Sequence, residues 1–463
     1  MPDNSFMNSL RSGILALLTA LLVVPCLHAL EKQPASAYHA RRVALASQLH
    51  GGVAVLFAAE EPVLDFDAYR QDSDFYYLTG WNEPGAALLI AAASEPPTAT
   101  AGPLDPQGQH PYEEILFLPT RNLRMEKYTG VKLDAATPNA SQTAGVNRVM
   151  QMTDLPKVLS DLVAADRRIS RHIWTQAGNA QATALMAVVA ATLGESEAPA
   201  VRYVAALTTP LRQVKDEGEI ALLCKASDAS IASQRVMMRA VKPGITERAV
   251  AGKMYASWLE QGCERDSYAP IVGSGPNSTT LHYSANDRTI QDGDVVVVDA
   301  ACEYSMYASD ITRTVPANGH FTARQREIYD IVLGAQRAAA EAFVAGKSKI
   351  NDRDRKDPDS LDTVAYNYIN NHGKSLDGKP LGQYWLHGLG HMVGIDVHDP
   401  ADYPAVLKPG MVFTIEPGVY IPEEKIGVRI EDVFLVGQDG KLIDLVADLP
   451  HTADDVEATM KGK

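Results

Sequence analysis

Cysteine is scarce in this chain: there are four in 463 residues, and Cys26 lies in a short apolar segment near the N-terminus. The other three, Cys224, Cys263 and Cys302, are an odd number, which argues against a disulfide framework. None has a setting that would activate a thiolate, and Cys224 falls on a helical pattern as a small buried residue. Basic charge is also short. Lys and Arg number 42 against 57 Asp and Glu, a formal charge of −15, so electrostatics speak against a nucleic-acid partner. No internal repeat is visible. The apolar run ILALLTALLVV (14–24) has eleven residues, too few to span a bilayer, so stable membrane insertion is not expected. One further absence concerns His387 and His391. They stand four apart, but position 388 is Gly, so the glutamate of the helical zinc-binding pair is missing.

What is present is an ordinary globular composition, 46% apolar and 21% charged, over a length that favours two domains. Arg11 precedes the apolar run and Leu27-His28-Ala29 follows it, the layout of a secretory leader over 1–29. Asp3 is atypical there, and Met7 offers a second start. Asp3 and Arg11 cancel, so removal leaves the charge at −15. Export, periplasmic or secreted, is the expectation, with a mature chain beginning near Leu30.

Residues 30–205 read as an α/β unit. Strands are expected at 53–59, 86–92 and 114–119, a loop at 95–112, and helices at 154–165 and 179–194. The boundary falls at 206–214. Helices follow at 215–241, ended by Lys242-Pro243-Gly244, at 245–262 with Thr246 as N-cap, and at 322–344. The charged stretch 347–359 reads as a solvated loop. Helices alternating with antiparallel hairpins make 206–463 an α+β domain.

Five short segments in that domain carry candidate ligands: VVVVDA (295–300), YASDITRT (307–314), HGLGHMVGIDVHD (387–399), TIEPGVY (414–420) and VRIEDV (428–433). The β-branched run 295–298 predicts a buried strand with Asp299 at its end. A second strand over 307–315, paired through a turn at Tyr304-Ser305, sets Asp299 opposite Asp310. A turn at Pro422-Glu423-Glu424-Lys425 likewise sets Glu416 opposite Glu431. Opposed residues of a hairpin share a face. Four converging carboxylates repel unless cations neutralise them, and with His391 they form an oxygen-rich set suited to two divalent ions. Three glycines around His387 and His391 favour an extended segment, in which the two histidines again share a face.

These five segments together resemble the pita-bread metallopeptidases, the group of methionine aminopeptidase, prolidase and aminopeptidase P. The resemblance covers roughly 210–440. HGLGHMVGIDVHD resembles the branch acting on Xaa-Pro bonds, and YRQDSDFYYLTGWNEPG (69–85) resembles the N-terminal domain signature of aminopeptidase P. The resemblance implies a pita-bread catalytic domain preceded by a smaller α/β domain. It also implies two divalent metals, manganese first, with zinc and cobalt as alternatives. Asp310, His391, Glu416 and Glu431 would hold one ion, and Asp299, Asp310 and Glu431 the other. Glu416 would take the proton of a bridging water. His282, in LHYSAND (281–287), would stabilise the tetrahedral intermediate, and His398 would stand beside the proline nitrogen. Arg429 would orient His398 or a substrate carboxylate. His387 would support the ligands, and Tyr268, Tyr403 and Tyr420 would line the proline pocket. His320 and His372 are read as structural.

The implied activity is an Xaa-Pro aminopeptidase acting on peptides with proline second. Prolidase is the neighbouring alternative and a metal-free binding module a distant one. Methionine aminopeptidase lacks the large N-terminal domain. A homo-oligomer, dimer or tetramer, is also implied, although Tyr128 stands where the bacterial aminopeptidases P carry a tryptophan at a subunit contact.

Overall fold

The N-terminal sheet has a centre of largely apolar strands, β1 (Val53–Phe57), β2 (Ala87–Ala92) and β3 (Tyr112–Leu118), flanked by the shorter β4 (Arg148–Gln151), β5 (Ile173–Thr175) and β6 (Val201–Tyr203). Their order is β4-β3-β2-β1-β5-β6. The β1–β2 and β2–β3 pairs are antiparallel and the outer pairs parallel. Continuous apolar strands need cover on both faces. Val53, Val55, Leu89 and Phe117 pack on the helices Leu155–Ala165 and Ala180–Leu193. The alternate residues Leu56, Leu88 and Leu116 are equally buried, on the side of the helices Ala35–Gln48 and Ser73–Thr79.

The computed structural model describes residues 30–61, 69–92, 112–165, 172–194 and 200–462. The leader at 1–29 and all of the 95–112 loop except Tyr112 lie outside them. Residues Lys32–Lys463 form one contact unit. Among the described residues no helix is long and apolar enough to cross a membrane.

The C-terminal part is the expected α+β arrangement. The helices Glu217–Ala240, Glu247–Glu260 and Ala323–Glu341 start at side-chain caps. Asp216 and Thr322 close capping boxes with Glu219 and Gln325, and Thr246 accepts from the Ala249 N–H. The helices pack on antiparallel strands. β8 (Ile271–Ser274), β9 (Val295–Asp299) and β12 (Thr312–Pro316) form one sheet in the order β12-β9-β8, while β7 (Arg265–Asp266), β10 (Cys302–Tyr304) and β11 (Tyr307–Ala308) form a second. β13 (Val412–Ile415), β16 (Asp432–Val436) and β17 (Leu442–Asp444) form a third, with the hairpin of β14 (Gly418–Ile421) and β15 (Ile426–Arg429) beside it. One hydrophobic core runs through most of them, from Trp258 and Val298 to Phe413 and Val428.

Helices not read from the sequence include two in or beside the catalytic part, and one expectation, on the cysteines, needs correction. The stretch 206–214 is the helix Ala205–Gln213, despite Pro210. Its Arg212 is buried and ion-paired, so tertiary anchoring offsets the lost backbone bond. The helix Leu361–His372 follows the charged loop, although Asn, Tyr and His give YNYINNH little intrinsic helix preference. It is held by packing on Ala323–Glu341. Cys263 and Cys302 form a disulfide, leaving Cys224 as the free cysteine among the described residues. An odd count excludes a fully paired framework but not a single bridge.

Candidate metal centre

The site is assembled where two broken hairpins meet. β9 pairs with β12 so that Asp299 faces Thr312, not Asp310 as expected. The turn falls at Ser305 and Met306, both at positive φ, one residue later than predicted, and this moves the register by two. Because strand faces alternate with period two, the slip preserves the face, and Asp310 still converges on Asp299 from the irregular link between β11 and β12. In the second hairpin the predicted register holds: Gly418 faces Arg429 on one side of the break and Ile415 faces Asp432 on the other. Glu416 and Glu431 occupy the break itself. An isolated bridge between Thr312 and Glu431 joins the hairpins, the Glu431 N–H donating to the Thr312 carbonyl at 3.1 Å. Asp299, Thr312 and Glu431 thus form one rung across three strands.

The donor atoms of Asp299, Asp310 and Glu431 all lie within 4.8 Å of one another, as do those of His391, Glu416 and Glu431. His391 Nε2 is 3.2 Å from Asp310 Oδ2 and 3.6 Å from Glu416 Oε1. Two overlapping sets that share Glu431 fit two divalent ions with a bridging carboxylate. The electrostatics fit as well. Burial, with Asp310 and Asp299 nearby, pushes Glu416 up to about 8 against the pull of His391 and Arg429. Burial and the neighbouring acids push Glu431 upward, and burial pushes Asp299 upward despite Arg429. Burial disfavours His391 as a cation, yet Asp310 and Glu416 lift it to about 9. Such a set is short of positive charge, which divalent ions supply. His398 is also within 4.8 Å of Asp310 and His391, its ring centroid 3.8 Å from that of His391. A further cluster, Asp432, Asp444 and His451, already holds a cation: Arg313 Nη2 stands 2.7 Å from Asp432 Oδ1 and 3.0 Å from His451 Nε2.

A cavity of about 630 Å³ opens over the acids, and its walls include Tyr268, His282, His387, His391, His398 and Arg429. Tyr268 donates to Asp299 Oδ1 at 2.5 Å, and Arg429 Nη2 to Asp299 Oδ2 at 2.7 Å. Arg429 also reaches the Tyr420 hydroxyl at 2.8 Å, and that hydroxyl bonds His387 Nε2 at 2.8 Å. Arg429 therefore braces Asp299 and Tyr420 rather than His398. Tyr420 is buried behind the wall, and Tyr403 bonds the Met392 N–H away from it, so of the three tyrosines only Tyr268 lines the cavity. The carboxylates flanking His398 do not hold it, because Asp396 and Asp399 are paired with Arg212. His320 is exposed beside Glu457, and His372 caps its own helix on Tyr368.

Sequence reasoning missed three contributors. Thr312 Oγ1 donates to Glu431 Oε2 at 2.7 Å. Its signal was its place opposite Asp299, visible only in the correct register. Asn351, in the loop read as solvated, accepts from the Leu389 N–H at 2.7 Å and donates to the Gly390 carbonyl at 2.7 Å. Arg355, four residues on, holds the His387 carbonyl at 2.9 Å. A Cβ on Gly390 would strike the Thr414 carbonyl, so the glycine allows this close approach.

Residues 221–438 match metallopeptidase family M24, and 38–171 match the aminopeptidase P N-terminal domain. Xaa-Pro aminopeptidase of Haemophilus influenzae is 33% identical over 93% of this chain and 98% of its own length. Proline aminopeptidase P II of Yersinia pestis superposes with a TM-score of 0.78 at 31% identity, covering 93% of this chain and 100% of that one. Zinc-substituted Escherichia coli aminopeptidase P in complex with product gives 0.78 at 29% identity, over 93% and 99%.

Proposed function

Because the chain belongs to metallopeptidase family M24 and carries the aminopeptidase P N-terminal domain ahead of it, it is a metal-dependent aminopeptidase, and we propose that it releases the first residue of peptides whose second residue is proline. The observation that carries this reading is the cavity in which the acid set faces two further histidines, His282 and His398, from opposite ends of the sequence motifs. The relatives named Xaa-Pro aminopeptidase support the choice of bond.

Asp299, Asp310, His391, Glu416 and Glu431 would hold two divalent ions, manganese in our reading with zinc or cobalt as alternatives. When bound, the ions supply an activated water and polarise the scissile carbonyl. Glu416, a carboxylate of the donor set, would take the proton of that water once the ions hold it ionised. His282 donates to the carbonyl oxygen as charge develops on it. His398 donates toward the proline nitrogen, which must gain a proton as the bond breaks. Tyr268 and Arg429 fix Asp299, and Tyr420 fixes His387.

We place a leader at 1–29, the N-terminal domain at 30–205 and the catalytic domain at 206–463, with export of the mature chain. Assembly as a homo-oligomer is part of the same reading. It is supported by the neighbouring exposed apolar residues Leu123, Met125, Tyr128 and Val131. The test of specificity is a digest of the manganese-loaded enzyme on Xaa-Pro dipeptides, on longer Xaa-Pro peptides and on Xaa-Ala controls. Release of one residue from the longer Xaa-Pro peptides alone or best is expected. Cleavage confined to dipeptides would make it a prolidase.

A further inference from the structure

The segment 69–85 carries the motif RQDSD, and none of its side chains lines the cavity. Its contacts lead elsewhere in the catalytic part. Arg70 Nη2 donates to the Ile395 carbonyl at 2.8 Å and to Asp396 Oδ1 at 3.3 Å, while its Nε donates to Glu303 Oε2 at 2.8 Å. Ser73 Oγ donates to the same Asp396 Oδ1 at 2.6 Å. Arg212 bonds Asp74 through Nη1 at 2.9 Å, and through Nη2 it reaches Asp396 Oδ2 at 2.7 Å and Asp399 Oδ1 at 2.6 Å. Lys215 completes the cluster on Asp399 Oδ2 at 3.0 Å, and Arg265 also pairs with Glu303. Four cations meet four carboxylates, and Arg212, Lys215 and Asp399 are almost fully buried.

All of this converges on residues 394–399, a stretch without helix or strand. It presents Val397 and His398 to the cavity. Few backbone bonds hold it: Gly394 N–H to the Asp396 carbonyl, the Gly394 carbonyl to Ala308 N–H, and Asp399 N–H to the Met392 carbonyl. A stretch so lightly bonded takes its geometry from the side chains that grip it. Asp396 is the hinge of that grip, being held on one carboxylate oxygen by Arg70 and Ser73 and on the other by Arg212.

We infer that Asp396, clamped by Arg70 and Ser73 of the RQDSD motif and by Arg212, is a positioning residue for His398, which makes the N-terminal unit a working part of the catalytic apparatus. The inference rests on the proposed contact of His398 with the substrate. A small displacement of a donor group costs as much as ~10²-fold in rate. Loosening one of several grips costs less.

The test is a double-mutant cycle on the full-length, manganese-loaded enzyme, reading kcat, KM and metal content on one Xaa-Pro peptide. Asp396→Asn is expected to lower kcat about tenfold, with KM and metal content near wild type. Ser73→Ala, which removes the bond to Asp396 and the one accepted from Arg70 Nη1 but leaves every ion pair intact, should give a smaller loss of the same kind and serves if Asp396→Asn does not fold. In a His398→Ala background neither substitution should cost more. Equal losses from Asp396→Asn and Ser73→Ala with and without His398, or wild-type kcat in both, would overturn the inference alone. Wild-type kcat in His398→Ala would remove the His398 reading, and the inference with it.

Discussion

Glu431 belongs to both donor sets and is fixed from two sides, its carboxylate by Thr312 and its backbone by the bridge to the same residue. Glu431→Gln keeps the shape and removes the charge that two ions share. Metal analysis should show loss from both sites together with loss of activity. Full occupancy with full activity would remove the two-ion assignment. The titration of the site gives a second prediction at this scale. Glu416 is lifted to about 8 and His391 to about 9 in the ion-free geometry. Between pH 6.5 and 9 the folded protein then binds more protons than the unfolded chain, so stability falls as pH rises. His387, held at about 3, matters only below that window. Chelated protein should therefore melt at a lower temperature at pH 9 than at pH 6.5, and manganese should largely abolish the difference. A chelated protein with the same Tm at both pH values would contradict the electrostatic account. At His398 the expectation is a kcat loss of ~10²–10⁴-fold in His398→Ala with metal retained, the range for a positioned acid–base group. His320→Ala, at an exposed histidine, is the control.

Among the elements, the loop 347–359 changes its meaning most between sequence and structure. Its charges look outward, but Asn351 pairs with the backbone of Leu389 and Gly390 as a neighbouring strand would, and Arg355 lies over Tyr366 and Trp385 to reach His387. Asn351→Ala should weaken metal affinity about 10-fold or more, as loss of a group that orients a ligand does. A metal titration of the variant checks this, and unchanged affinity would show that the segment 387–391 holds its own shape. The ligand acids were legible because apolar runs and turn sequences mark the strands that carry them. The second hairpin was read in register because Pro422 and its neighbours mark the turn. The first was misplaced by two because Ser305 and Met306 adopt positive φ without a glycine to announce it. Asn351 and Thr312 escaped notice for one reason. Neutral polar residues leave no periodic trace, and their role is set by what folds against them.

At the scale of the whole molecule, the Cys263–Cys302 disulfide bears on where the protein works. The bridge spans 39 residues and closes the turn after the helix Glu247–Glu260 onto β10, within the catalytic core. Disulfides persist in oxidising compartments and are rare in the cytosol, so the bridge supports the export we propose from the run at 14–24. Closing a loop of this length restricts the unfolded chain by ~4 kcal/mol in the chain-entropy account. Cys263→Ser, or reduction of the wild type, should thus lower Tm by several degrees while leaving metal content unchanged, because neither cysteine contacts the ligand set. Protein isolated from its host should begin near Leu30 and resist thiol labelling at Cys263 and Cys302, with Cys224 labelled on unfolding. A cytosolic host-derived chain that retains 14–24, or one in which all three thiols label, would defeat the export reading. The metal-dependent chemistry, which uses none of these cysteines, would stand in either case.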